Sequence, residues 1–294
     1  MEPVLLRSDG YEAVFFPQRG MNLLSFKKGD IQLIDQSTKP LFEERNAGLG
    51  AMIGPHFHRR HPGIIPPLLN ESAFPHITRL KAKGDSYDPF SHGIGRYAPW
   101  TYTTSENSIH ATLKGSDMWE GVALSALEGQ NFTMNYNAFL TATGLRIELS
   151  VVSDTDSIIG IHYYYHLPEG KGEVSARVKD HYLTKEGKVS LPSTWNFNRE
   201  THLLTFPLVE EADYTFFGFP DPTAAEIYLT TPLYKLKTRY SCASEENAWQ
   251  LYHPKNASYV CIEPVSAQDP RHPNLTVSSL TIELSVESRT VYIK

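Results

Sequence analysis

Apolar and polar residues alternate with a period of two over much of the chain. Leu145-Arg146-Ile147-Glu148-Leu149-Ser150-Val151 is one clear run, and Leu280-Thr281-Ile282-Glu283-Leu284-Ser285-Val286 repeats it near the end. Ile109-His110-Ala111-Thr112-Leu113-Lys114 is a shorter version. Such alternation buries one face of a strand and wets the other, as in antiparallel sheets. Turn signals punctuate the runs at Ser8-Asp9-Gly10, Lys28-Gly29-Asp30, Thr143-Gly144 and Glu186-Gly187. No window carries helical periodicity, and frequent Gly and Pro break the chain too often for long helices. The pattern predicts an all-β sandwich or barrel with little helix. No repeat, low-complexity segment or linker interrupts it, so one domain over residues 1–294 is the simplest expectation. The Gly48 to Trp100 stretch stands apart, being rich in Pro, His and Arg and poor in alternation. Long irregular connections on a β scaffold often carry function.

Composition narrows the classes. A chain of 294 residues buries a large core, and 40% hydrophobic with 20% charged residues is the balance of an ordinary globule. The net charge of −6 offers no basic footprint for nucleic acid. Two cysteines, Cys242 and Cys261, support neither a disulfide framework nor a Cys-x-x-Cys zinc site. The opening Met1-Glu2-Pro3-Val4-Leu5-Leu6-Arg7 turns polar too soon for a signal peptide, and no run approaches the ~20 apolar residues of a membrane span. These features lead us to expect a cytoplasmic protein without a membrane partner.

Five stretches could carry chemistry. Tyr259-Val260-Cys261-Ile262-Glu263-Pro264 is an apolar strand ending on a carboxylate, with a proline expected to stop it. Desolvation there raises a glutamate above its usual pKa of about 4.3 and makes it a better base near neutrality. A strand-end glutamate is nonetheless more often structural. Gly160-Ile161-His162-Tyr163-Tyr164-Tyr165-His166 places His162, Tyr164 and His166 on one strand face and Tyr163 and Tyr165 on the other. It reads either as a general acid/base in an aromatic cleft or as an amphipathic outer strand. His92-Gly93-Ile94-Gly95-Arg96 sets a histidine and an arginine on a tight path, for hydroxyl or phosphate binding or simply as a turn. Gly54-Pro55-His56-Phe57-His58-Arg59-Arg60-His61 holds three histidines, but two arginines among them oppose a cation, and hydroxyl or anion recognition by Arg59 or Arg60 is more natural. Glu211-Ala212-Asp213-Tyr214-Thr215-Phe216 sets Asp213 before an aromatic strand, as a hydroxyl acceptor or a solvated turn carboxylate. A nucleophile elbow, a phosphate loop and a dinucleotide glycine fingerprint are all missing, which argues against nucleotide chemistry.

Taken in order, these stretches resemble the aldose 1-epimerase (galactose mutarotase) family over nearly the whole chain. Glu12 to Gly20 looks like its opening strand and Pro-x-x-Gly turn. Gly54 to Arg59 looks like its loop ending in a substrate-binding arginine. His92 to Arg96 is similar to the His-Gly-Phe-Ala-Arg motif of the hexose-phosphate epimerase branch. Gly160 to Tyr165, Asp213 to Phe216 and Cys261 to Pro264 resemble the stretches around the catalytic histidine, a binding aspartate and the catalytic glutamate. Tyr163, His56, His58, the Pro62 to Pro67 run and the Asp269 to Asn274 loop depart from the pattern. The resemblance implies a β-supersandwich that interconverts α and β anomers of an aldose or aldose phosphate. It implies Glu263 as base, His162 as acid, His92, Arg59 and Asp213 as substrate ligands, Arg96 as a brace or phosphate contact, and no metal or organic cofactor. The alternatives are a non-catalytic carbohydrate-binding protein on the same fold and a glycoside hydrolase or lyase using Asp213 and Glu263 as paired carboxylates.

Overall fold

The computed structural model describes residues 2–84 and 88–288. Among them, eleven strands form one sheet and ten another, with all strand pairs antiparallel. The alternating runs build the second sheet. Gly144–Ser157 and Leu275–Ser288 lie side by side there, with Leu145 opposite Leu284 and Ile147 opposite Ile282. Leu145, Ile147, Leu149, Leu280, Ile282 and Leu284 are buried, while Arg146 pairs with Glu148 and Glu283 on the outer face. Removing such an apolar row from water is the main force holding a sheet to its partner layer. Each of the four turn signals closes a hairpin, as at Ser8↔Tyr11 and Thr184↔Gly187.

The first sheet positions the site. Its five middle strands run in the order Gly50–Ile53, Gly160–His166, Tyr259–Val265, Ala248–His253 and Ala212–Phe216. Their inner faces meet the second sheet through large aromatics; Tyr163 and Tyr136 are fully buried, and their hydroxyls lie 2.6 Å apart. The Gly160–His166 strand is therefore central and buried on both faces, not an outer amphipathic strand. Its aromatic residues fit because the second face is a cleft floor rather than solvent.

One other expectation needs correction. Pro264 does not stop its strand, which runs on to Val265, with Trp249 opposite the proline. A proline this near a strand end costs at most one ladder bond. Helix is sparse, as the pattern predicts: among the described residues there are three short α-helices, Lys39–Arg45, Pro75–Ala82 and Leu124–Glu128. At little more than two turns or fewer they are too short to register as helical periodicity. The second lies in the irregular Gly48 to Trp100 stretch, of which residues 85–87 are outside the described residues.

The Pro17-Gln18-Arg19-Gly20 turn packs directly on the segment that carries Arg96. Gly20 donates its N–H to the Ala98 carbonyl at 3.0 Å and has φ of 69°. A methyl group there would sit 1.8 Å from the Arg96 carbonyl oxygen. Gly20→Ala is thus expected to cost about 3 kcal/mol or more, from backbone strain and displacement of the 94–98 segment. A chemical denaturation curve checks this; an unchanged midpoint contradicts the packing described.

Candidate active site

Strand register brings the first two candidates together. Tyr163 pairs with Ile262 and Gly160 with Val265, which puts His162 opposite Glu263. His162 Nε2 lies 3.4 Å from Glu263 Oε1, beyond a well-formed hydrogen bond but close enough to share one ligand. Both side chains are buried, 9% and 3% exposed. They form the floor of a cleft of about 340 Å³. Tyr164 stacks on the His162 ring at 4.9 Å, and Tyr252 meets it edge-on at 6.3 Å. Gln250, which faces Glu263 across the neighbouring strand, also lines the cleft.

The loops complete the walls. His92 takes φ of 67° and Gly93 φ of 92°, and a methyl group on Gly93 would meet the Gly54 carbonyl oxygen at 2.0 Å. Only glycine permits that close approach, which aims the His92 ring at His162, 5.4 Å away and perpendicular to it. Backbone bonds lock this arrangement: Gly54 N–H donates to His92 O, and His92 N–H donates to His58 O, each at 2.8 Å. The His58 N–H also points at His92 Nδ1, 3.3 Å away. A neutral imidazole accepting at Nδ1 carries its proton on Nε2, so His92 presents a donor.

Arg96 is almost fully buried. Its Nε donates to the Met52 carbonyl at 2.8 Å, and its Nη2 has no hydrogen-bond partner among the described residues. Arg59 and Asp213 stand at the exposed rim, Asp213 3.8 Å from Lys185. All six residues singled out in the sequence therefore line one cleft. Arg60 does not: its guanidinium is bound to Asp88, at 2.7 Å from Nε and 2.9 Å from Nη2. The three neighbouring histidines also diverge. His56 turns to Asp88 and Glu128, His58 faces His92, and His61 accepts the Gly63 N–H. Arg45, Tyr252, Gln250, Lys185 and Arg271 were missed from sequence. The strand residues Gln250 and Tyr252 lie at i and i+2 beside the Glu263 strand, a signal that needs the pairing to be known.

Burial dominates the electrostatics of the pair. It pushes the Glu263 carboxyl well above the usual range, with Arg96 pulling partly the other way. It pushes His162 well below the usual histidine range, and Arg96 adds to that. A glutamate so placed is a stronger base and a protonated histidine so placed a stronger acid, so one proton passes readily between them. His162, Cys261 and Glu263 also put donor atoms within 4.8 Å of one another. That set suits a soft cation less well than proton transfer, because Arg96 acts on Glu263 and burial holds the Cys261 thiol well above its usual pKa.

No family model matches the chain, and no curated protein sequence is similar to it at a significant level. Solved structures are similar over almost its full length. A galactose mutarotase-like protein from Lactobacillus casei superimposes with a TM-score of 0.67 at 13% identity, covering 97% of this chain and 100% of that one. A galactose mutarotase related enzyme from Lactobacillus acidophilus gives 0.64 at 16%, covering 99% of each chain. An aldose epimerase homologue from C. elegans gives 0.65 at 12%, covering 98% and 99%. The fold is that of the galactose mutarotase-like β-sandwiches. Among the described residues, no helix is long and apolar enough to cross a membrane.

The buried Glu263 is expected to keep its proton above the ordinary carboxylate range. Difference infrared spectroscopy should show a protonated carboxyl band that persists above the pH at which a solvated glutamate ionises and that disappears in Glu263→Gln. A band lost by about pH 4.5, as for a solvated glutamate, contradicts the burial argument.

Proposed function

We propose that the protein is an aldose 1-epimerase. The observation carrying this reading is the buried His162–Glu263 pair, 3.4 Å apart on adjacent strands at the floor of a polar cleft. Anomer interconversion requires a base at the C1 hydroxyl and an acid at the ring oxygen, two atoms bonded to the same carbon. Two groups this close can serve both atoms of one bound sugar.

The step starts from the form of the pair in which the shared proton sits on His162: Glu263 then takes the proton from the C1 hydroxyl while His162 donates one to the ring oxygen. The bond between C1 and the ring oxygen breaks and an open-chain aldehyde forms. Rotation about C1–C2 exposes the other carbonyl face. The ring hydroxyl then attacks C1, His162 recovers its proton, and Glu263 returns one to the new C1 hydroxyl. The proton count closes on each turnover, and the chain's own side chains supply every transfer. His92 Nε2–H donates to a sugar oxygen near C1. Asp213 and Arg59 hold the hydroxyls that face the rim. Arg96 lies behind the pair and helps the base return to its ionised form after each cycle. Tyr164 and Tyr252 frame the reacting end of the sugar.

A phosphorylated aldose is the more specific reading, favoured by the cationic rim. Arg45, Arg59, Arg96, Lys185 and Arg271 line the cleft, against Asp88, Asp213 and Glu263. Asp88 is already neutralised by Arg60, and Arg45 Nε is buried with no hydrogen-bond partner among the described residues. Arginine forks suit phosphate oxygens. Arg45 extends this role beyond the motif positions, since Arg96 is committed to Met52 and the neighbourhood of Glu263.

Glu263→Gln and His162→Asn should each slow anomerisation by about 100-fold or more, the scale of losing a positioned acid or base. Anomer-resolved NMR over a panel of aldoses reads this directly. Full activity in either variant contradicts the assignment. For the substrate class, Arg45→Gln should raise KM for a 6-phosphorylated aldose by about 10-fold more than for the free aldose, the value of a charge-assisted hydrogen bond. Equal effects on both point to a neutral sugar.

A further inference from the structure

The two loops that form the cleft walls are fastened by a buried cluster outside the reacting pair. His56 Nδ1 lies 2.5 Å from Glu128 Oε1, and His56 Nε2 lies 3.0 Å from Asp88 Oδ2. The second approach is off the N–H axis, so it is a charge contact rather than an aligned hydrogen bond. Asp88 also takes Arg60 through its backbone N–H, Nε and Nη2, at 2.7–2.9 Å. Arg60 Nη1 reaches the Glu128 carbonyl. The Asp88 and Glu128 side chains are 0% and 1% exposed, and those of Arg60 and His56 are 7% and 13% exposed.

Charge balance identifies the state of His56. Two buried carboxylates face Arg60 and His56, and they are neutralised only when His56 carries its proton. A neutral imidazole has one N–H, so one of its nitrogens would turn a lone pair on a carboxylate oxygen. Both geometry and desolvation oppose that. His56 and Arg60 bracket Phe57, His58 and Arg59. Asp88 Oδ1 accepts the Phe90 N–H and Glu128 Oε2 accepts the Ile94 N–H, each at 3.0 Å, which brackets Ser91 and His92. The titratable groups facing the cluster are thus Arg60 from the first loop, Asp88 and the neutral His92 from the second, and Glu128 from helix Leu124–Glu128.

We propose that the doubly contacted imidazolium of His56 is a positioning residue that holds the His58–Arg59 and Ser91–His92 walls in the sugar-binding arrangement. It touches no reacting atom. The inference rests on the proposed anomerase site for its kinetic consequence, though not for its structural one. Burial pulls the His56 pKa down, but Glu128 and Asp88 outweigh it and raise the group above its usual value. A raised histidine contributes stability that is fully present below about pH 6.5 and is lost as pH climbs through the folded-state pKa. The walls should therefore loosen on the alkaline side, and the effect should fall on substrate binding rather than on proton transfer.

The test combines ring-nitrogen NMR on the full chain with kinetics. His56, assigned by the signal lost in His56→Gln, should keep both ring protons in the native protein above the pH at which a free histidine loses one. Glu128→Gln retains an acceptor for the Ile94 N–H while removing one charge. It should move the alkaline rise in KM down by at least about one pH unit and leave the plateau kcat within about twofold. A role limited to packing would lower Tm without shifting that midpoint. A His56 that loses a ring proton at or below the pH of a free histidine, or an unshifted KM profile, overturns the proposal. Should the protein fail to interconvert anomers, the ring-proton measurement, which needs no turnover, still decides the state of His56.

Discussion

The pairing of strands Gly160–His166 and Tyr259–Val265 is the constraint on which everything else depends. Its register puts His162 across from Glu263. Because side chains alternate along a strand, a slip of one residue in either strand would turn its functional side chain into the core and bring Tyr163 or Ile262 into the cleft. The buried Tyr163 hydroxyl, paired with that of Tyr136 on the facing sheet, and the adjacent Ile262 resist such a slip. The core that stabilises the sandwich therefore also sets the geometry of the proposed chemistry. Loops then supply what strands cannot: the His92 ring, aimed by a positive-φ turn, and the cationic rim.

Burial has two effects here, and they act together. Removing Glu263 and His162 from water costs stability, since neither is strongly paired at 3.4 Å. The same desolvation shifts each group in the direction proton exchange requires. Arg96 limits the cost by setting positive charge near the carboxylate while remaining bound to the Met52 carbonyl. The His56 cluster follows the opposite logic. There the charges are closely paired and hydrogen-bonded, and the result is fixed loop geometry rather than reactivity.

Most of the β architecture was legible in the sequence because alternation is a local signal and the turns are marked by Gly, Asp and Thr. The short helices were not, since five to eight residues carry too little periodicity. His162 and Glu263 stood out as polar residues inside apolar strands, and the ordered resemblance to mutarotases placed them in one reading. Their neighbours Gln250 and Tyr252 look like ordinary strand residues until the pairing is known. Arg60 illustrates the converse. Next to Arg59 it reads as a second ligand-binding arginine, yet Asp88, 28 residues away, takes its Nε and Nη2, and the Glu128 carbonyl takes its Nη1. Pairings this far apart in sequence leave no local trace, and the same holds for His56 with Glu128, separated by 72 residues.

The central claim is that Glu263 and His162 flank the anomeric centre of one sugar. A crystal structure of the protein bound to an aldose or aldose phosphate tests this most directly. The account predicts the C1 oxygen within about 3 Å of a Glu263 carboxylate oxygen and the ring oxygen within about 3 Å of His162 Nε2, with His92 Nε2 donating nearby. A sugar bound elsewhere, or lying in the cleft with its anomeric carbon turned away from both residues, would contradict it.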